Sequence, residues 1–308
     1  MNSKTSKIAI VGLNIVVIVL AFFIYSWVNR AFLDKARDQH SQDVINLSNQ
    51  IKNEYFFNEG KTITNLISKL ELDFEKEPNK KLEIIKDVSG SALAYLLDKG
   101  GTVKASAYVD ENTNLIGKNY AFRPYFKNAI MGDNYIYTAV GVTTKKRGIY
   151  YSTPIYKRDK IRNVLVIKKN FTDIDQLLKS YNDKLLLVNP DGIVFSTNND
   201  EWLLRKIENK FGEYDKFKYA ELTSFKPLPM DIIAKKEHGS SSKLITKDFQ
   251  FRIMGETWKI ISVRELTNFR PKSMTNLSII LTLMTLAMLN LFAYFVLNIN
   301  FSSSKREE

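Results

Sequence analysis

Cysteine is absent from the 308 residues, and histidine occurs only at His40 and His238. The first absence excludes disulfide scaffolds, thiolate zinc sites, iron–sulfur clusters and cysteine nucleophiles. The second leaves no multi-His metal site and no His-based proton relay. No G-x-S-x-G elbow, Walker A loop, H-E-x-x-H or H-x-x-E-H occurs. Asp173 and Asp175, in FTDIDQLL, sit at i and i+2 and point apart on a helix, so Asp173 or Thr172 is expected to cap it. No catalytic residue, metal site or cofactor is therefore assigned, and the chain is not expected to be an enzyme. Also missing are a Lys/Arg cluster with interleaved aromatics, a helix-turn-helix and an RNP-like strand, so no nucleic-acid partner is expected.

What is present is a globular balance of 44% hydrophobic and 25% charged residues, with 45 Lys+Arg against 33 Asp+Glu for a net +12. Residues 8–28 and 277–299 form two runs free of charge. At about 1.5 Å per residue each crosses a hydrocarbon core of about 30 Å. The first lacks a small-x-small cleavage site and is read as an uncleaved anchor rather than a signal peptide. Lys4 and Lys7 precede it, and Lys305 and Arg306 follow the second run. Both tails, 1–7 and 300–308, are thus predicted to be cytoplasmic, with the domain between them facing outward and membrane lipid around the spans.

Beyond the first span, residues 30–89 read as a long helical stalk. Leu33, Ala36, His40, Val44, Leu47, Ile51 and Tyr55 recur at steps of 3 and 4, one stripe on a continuous helix. That stripe suits packing on the chain's own domain and a two-chain seam equally, the latter predicting a homodimer. A break is expected at Asn58, Glu59 and Gly60, and Ile63, Leu66, Ile67 and Leu70 start a second stripe. From residue 92 the texture changes to short strands at 94–97, 102–105, 135–138, 148–152 and 163–168. A helix follows at 173–181, then a strand–turn–strand at 185–196 and late strands ending at 251–262. The stretch from Leu96 to Val103 aligns with the stretch from Leu187 to Val194 almost residue for residue, with Asp98 and Asp191 as turn formers. A hairpin repeated in this way predicts an α+β fold of two modules, 90–172 and 173–270.

The densest chemistry lies in 117–168. Arg123 has a planar fork suited to a carboxylate. Tyr120, Tyr125, Thr143, Thr144, Tyr150 and Ser152 add hydroxyls, and Lys168 closes an apolar run as a second cation. A lysine aimed into the sheet is costly unless an acid or a ligand pairs with it.

The pattern Y-x-F-R-P-Y-F-x-x-A-x-x-G, followed by G-x-T-T-x-x-x-G-x-Y-x-S-x-P and a strand ending in Lys, resembles the membrane-distal module of double Cache sensor domains. It is most similar to the outer domain of bacterial C4-dicarboxylate sensor histidine kinases. The N-P-D-G-I-V-F-S stretch, Glu201-Trp202-Leu203 and the G-x-x-W at 255–258 resemble that subgroup's proximal module. The resemblance covers about residues 30–270. It implies two tandem Cache (PAS-like) modules on a long N-terminal helix, flanked by two transmembrane helices, in a bacterial inner membrane with the main domain periplasmic. It further implies that Tyr120 and Arg123 hold one carboxylate of a small ligand and Lys168 the other, with Thr143, Thr144 and Ser152 lining the pocket. The chain departs from the pattern at Lys145-Lys146-Arg147, a basic stretch at the expected pocket lip that suits a larger or more acidic ligand. It also ends eight residues after Asn300, without kinase domains. The expected protein is the sensory part of a truncated kinase or a receptor signalling through a cytoplasmic or membrane partner. The competing expectation is a membrane-anchored scaffold with a ligand-free Cache fold.

Overall fold

The computed structural model describes residues 3–58, 60–63, 65, 74–108, 114–207, 226, 228, 244–253, 256–265, 279–292 and 294. The expected stripe residues Leu66, Ile67 and Leu70, and both ends of the 277–299 run, lie outside them. Two compact units divide the chain, residues 1–40 with 265–308, and residues 41–264.

In the first unit, helix α1 (Ser3–Gln50) begins with the apolar run and carries one stretch long and apolar enough to cross a membrane. Phe22, Phe23, Ile24 and Trp27 are exposed on it. Helix α5 (Ile279–Phe292) is apolar but shorter than a span within the described residues. Asn14 Nδ2 donates to Asn290 Oδ1 at 3.0 Å, joining the polar interruptions of the two apolar segments.

In the second unit, α1 runs into a π-helix, Ile51–Asn58, and helical turns resume at 60–63. The break expected at 58–60 is thus a change of helix type starting earlier. Val44, Leu47, Ile51 and Phe56 are buried in the main core of this unit, so that part of the stripe packs on the chain's own domain. Helix α2 (Pro78–Ser89) has Pro at its start and Gly90, at φ 61°, closing its end, where a left-handed residue frees the last carbonyls for capping.

Strands β1 (Leu93–Leu97), β2 (Val103–Tyr108), β3 (Tyr135–Val140), β4 (Arg147–Lys157) and β5 (Lys160–Asn170) form one sheet in the order β2-β1-β5-β4-β3. Each pairing is antiparallel. Alternation gives the sheet two working faces. Ala94, Leu96, Ile149, Tyr151, Leu165 and Ile167 join the core shared with α1. Leu93, Tyr95, Leu97, Tyr150, Val164 and Val166 build a second core under helix α3 (Pro124–Ile130).

Helix α4 (Thr172–Lys179) leads into a four-stranded sheet of β6 (Lys184–Val188), β7 (Val194–Thr197), β8 (Leu244–Ile253) and β9 (Glu256–Glu265), in the order β7-β6-β9-β8. Contrary to the capping expectation, Phe171 is the N-cap and no side chain caps α4. The turn of the second hairpin also needs a correction. Asn189 Oδ1 accepts from the backbone N–H groups of Asp191 and Ile193 at 3.1 and 3.0 Å, as Asp98 Oδ1 does from Gly100 and Thr102, both at 2.9 Å. Asn189, not Asp191, is the turn former, because the bonds need an acceptor two residues before the first amide and four before the second, and Asp191 stands where Gly100 does.

Candidate ligand-binding site

A proline fixes the central cation. Pro124 opens α3, and the residue before a proline is driven to extended backbone, so Arg123 sits at the N-cap with φ −74° and ψ 136°. Arg123 is 2% exposed. Among the described residues Nη2 reaches only Val140 O at 3.5 Å, and Nη1 is buried with no hydrogen-bond partner. The guanidinium carbon lies 5.4 Å from the Phe122 ring centroid and 6.0 Å from that of Tyr137.

Lys168 arrives from β5, paired across the ladder with Tyr150 of β4. It is 1% exposed, and its Nζ lies 5.5 Å over the Tyr150 ring. Nζ donates to Thr144 Oγ1 at 2.7 Å and to Lys146 O at 3.1 Å. Burial, with Lys146 and Arg123 adding repulsion, lowers its pKa to about 7. Among the described residues neither buried cation is paired with a carboxylate.

Beside Arg123 is a cavity of about 20 Å³, room for roughly one water; Lys168 is not among the cavity's walls, although its partner Thr144 is. The cavity is lined by Tyr120, Arg123, Tyr125, Thr143, Thr144 and Tyr150, all expected from the sequence, and by Leu93, Tyr95, Leu115, Gly141 and Val142, which were not. Tyr120 Oη and Thr143 Oγ1 are 3.0 Å apart, and Tyr95 Oη donates to Tyr125 Oη at 2.9 Å. Tyr125 and Tyr150 stack at 5.4 Å with 7° between their planes. Burial raises the pKa of Tyr95, Tyr120, Tyr125 and Tyr150, so all four hydroxyls keep their protons and remain donors at neutral pH.

Two glycines make the room. A Cβ on Gly148 would overlap Lys168 Cε and Cγ, and one on Gly141 would meet Thr144 Oγ1, Tyr150 Oη and Lys168 Nζ. Both were visible in the motif, but a glycine needed for space looks in sequence like one needed for a turn. Tyr95 was hidden for another reason. It lies in the apolar stretch LAYLL, and only its pairing with Val166, two residues from Lys168, places it on the pocket face.

Ser152 was expected to line the pocket and does not. Its hydroxyl lies 2.9 Å from Tyr125 O and 3.3 Å from Tyr135 O, fastening the start of α3 to the sheet. The basic lip also divides. Arg147 turns away from the cavity and forks onto Asp175 of α4, with Nη1–Oδ1 at 3.1 Å and Nη2–Oδ2 at 2.8 Å, and bonds Phe195 O of β7. Asp175 also accepts from Ser196 Oγ at 2.5 Å.

No protein-family model matches the chain. Over 128 residues, 42% of this chain, it is 28% identical to the C4-dicarboxylate transport sensor protein DctB of Pseudomonas aeruginosa. Over 124 residues, 40% of this chain, it is 27% identical to the protein of the same name from Rhizobium meliloti. The matched stretch spans about a fifth of the length of these relatives, 21% and 20%. The sensor domain of the V. cholerae histidine kinase DctB superposes with a TM-score of 0.51 at 21% identity, covering 80% of this chain and 98% of that one. The ligand-binding domain of the Pseudomonas aeruginosa amino acid chemoreceptor PctC, solved with GABA, gives 0.52 at 15% identity, covering 75% and 100%. At such identities the superpositions speak for the fold alone. By sequence the chain is homologous to the sensor regions of C4-dicarboxylate transport sensor proteins, and in fold it is similar to their sensor domain and to chemoreceptor ligand-binding domains.

Proposed function

We propose that the chain is a membrane-anchored sensor whose outer domain, two tandem Cache modules, binds a small anionic metabolite of the C4-dicarboxylate type. In this reading 8–28 and 277–299 both span a bacterial inner membrane, the modules are periplasmic, and a homodimer passes the signal to a partner. One observation carries it: Arg123 walls a cavity, Lys168 is buried behind the cavity's Thr144, and among the described residues neither cation has a carboxylate partner. An unpaired buried cation is costly, and a ligand carboxylate on each removes that cost. Tyr120 and Thr143 serve Arg123's carboxylate, and Thr144 shares Lys168's. Tyr125 and Tyr150 wall the site.

Lys168 gives the binding a proton signature. At a pKa of about 7 it is half charged in neutral solution. An anion at Nζ raises that value, so binding takes up protons and weakens as pH rises above 7. The size of the cavity favours the competing scaffold reading, because 20 Å³ admits an organic anion only if lining side chains part. Calorimetry of the full chain in detergent against succinate, malate, fumarate and acidic amino acids decides between the two. Saturable binding by one of them, with uptake of protons seen as a heat that depends on buffer, supports the sensor. Silence across the panel leaves the scaffold.

A further inference from the structure

Strand β4 shows different chemistry on its two faces. Gly148 and Tyr150 belong to the pocket face, one beneath the Lys168 side chain and the other beneath its ammonium. Arg147, Ile149 and Tyr151 point the opposite way. Tyr151 Oη donates to Tyr55 O at 2.5 Å, inside the π-helix that continues α1. Its ring also walls Gly60, where a Cβ would lie 3.4 Å from Tyr151 Cδ1 and 3.2 Å from Ile136 Cδ1. Four residues earlier on the same face, Arg147 holds Asp175 and Phe195 O of the second half. The Phe195 ring packs edge-on against Trp258 at 5.9 Å, and Trp258 packs on Phe56 of the π-helix at 5.7 Å. Both contacts of the outer face therefore end on the same eight residues of π-helix.

We propose that β4 is the output strand of the pocket. The state of Lys168 and Tyr150 on one face sets, through Tyr151 directly and through Arg147, Phe195 and Trp258 indirectly, the hydrogen bonding of the π-helix Ile51–Asn58. A π-helix carries one residue more per hydrogen-bonded turn than an α-helix, so its carbonyls have an alternative set of partners and its conversion rotates the helix that follows. Tyr151 occupies one such carbonyl. Tyr151 and Arg147 are positioning residues in this account, which rests on the proposed pocket but is tested without any ligand.

The experiment is amide hydrogen exchange on the full chain in lipid nanodiscs, with the pocket perturbed by Lys168→Met and output read at residues 51–58 and 194–197. In the parent background Lys168→Met should change exchange at 51–58 by roughly 2- to 30-fold, the range of coupling between packed residues. In a Tyr151→Phe background, which keeps the ring and removes one hydroxyl, the change at 51–58 should shrink by most of its size while that at 194–197 persists. Arg147→Met should do the reverse. Circular dichroism checks that Tyr151→Phe folds. If Lys168→Met leaves 51–58 unaltered, or alters them equally with Phe at 151, the proposal is wrong. Coupled exchange in a chain that binds no anion would overturn the sensor reading and leave the output strand standing.

Discussion

The hairpin β1–β2 and the hairpin β6–β7 share a backbone and a turn but differ in the side chains packed on one face. Each has a bulge before the turn, at Leu96/Leu97 and at Leu187/Val188. Each receives a flanking loop by the same bonds. Val103 N reaches Lys118 O as Val194 N reaches Arg205 O, and Tyr120 N reaches Gly101 O as Ile207 N reaches Gly192 O. The loop turns with positive φ at Gly117 in the first and at Leu204 in the second. By this correspondence Trp202 stands where Leu115 stands. Lys168 opposite Leu93 answers Val263 opposite Lys184. In the first sheet that face carries tyrosines, Arg123 and Lys168. In the second, Leu186, Val188, Val194, Trp202, Ile207, Leu228 and Ile261 fill it. The scaffold is common to both; side chains on one face separate a hairpin beside two buried cations from one filled with apolar groups.

The comparison breaks most sharply at Trp202 and Arg123. Trp202→Ala should cost about 3–5 kcal/mol of stability, as truncation of a buried Trp generally does, and should leave anion binding at the first module intact. Arg123→Ala should do the opposite. Losing one partner of a desolvated charge pair costs about 2–5 kcal/mol of affinity, roughly 30-fold or more, while removing an orphaned guanidinium should leave the melting temperature unharmed. Arg123→Lys should bind poorly too, since an ammonium lacks the fork. Thermal melts and titration calorimetry on the same two proteins make the test; an Arg123→Ala chain that binds like its parent ends the anion reading.

Lys168 supplies the next test. Its pKa is lowered from 10.5 to about 7 in the folded chain. Between those values the unfolded state binds more protons, so this group makes stability rise with pH from about 7 to 10.5 and contributes no slope below. The amplitude is up to a few kcal/mol. Lys168→Met should remove that slope and melt higher than the parent at pH 7. Denaturant titrations at pH 7, 8.5 and 10 measure it, and parallel curves for the two proteins would show that the lysine is not desolvated.

Gly148→Ala comes lower in size. Its methyl would occupy space now held by Lys168 Cε and Cγ, an overpacking expected to cost about 1–3 kcal/mol. Lys168→Ala should relieve most of it, and a double-mutant cycle on melting free energies that proves additive would place the lysine elsewhere.

These tests bear on what sequence alone could tell. Strands and their order of appearance were legible because alternation and turn residues are local, and the repeated hairpin because Asp98 and Asn189 fall at aligned positions. The cations were legible because Arg123 precedes a proline and Lys168 ends an apolar run. Gly148's clearance, Tyr95's facing and Arg147's turn toward Asp175 were not. Each depends on a cross-strand register or on a partner 28 or more residues away. Ser152 failed for the same reason, since its acceptors are carbonyls whose positions no motif encodes. The stripe at 44–51 was ambiguous for a different cause: a helix buried on its own domain and one buried on a twin present the same spacing.

The smallest expected effect separates the two turns. Asp98 and Asn189 accept the same two backbone bonds, but Asp98 is also 3.1 Å from Lys104 Nζ on a side chain 31% exposed, whereas Asn189 is buried. Partial burial pushes the Asp98 pKa up, but the Thr102 amide, the Lys104 ammonium and the Gly100 amide outweigh it and hold the carboxyl below its ordinary value. A depressed carboxylate contributes stability above its unfolded pKa and loses it as pH falls through the folded one. Asp98→Asn keeps the turn-forming oxygen and gives up only a solvent-screened pair, so it should cost less than about 1 kcal/mol at pH 7. That gap should narrow as pH falls from the unfolded carboxylate range toward 3, where protonation of the unfolded chain begins to offset it. Asp98→Ala removes the acceptor itself and should cost more at both values. Urea unfolding at pH 7 and pH 3 distinguishes the outcomes. A gap for Asp98→Asn that widens on acidification would mean the carboxylate is destabilising and the turn is held by its backbone alone.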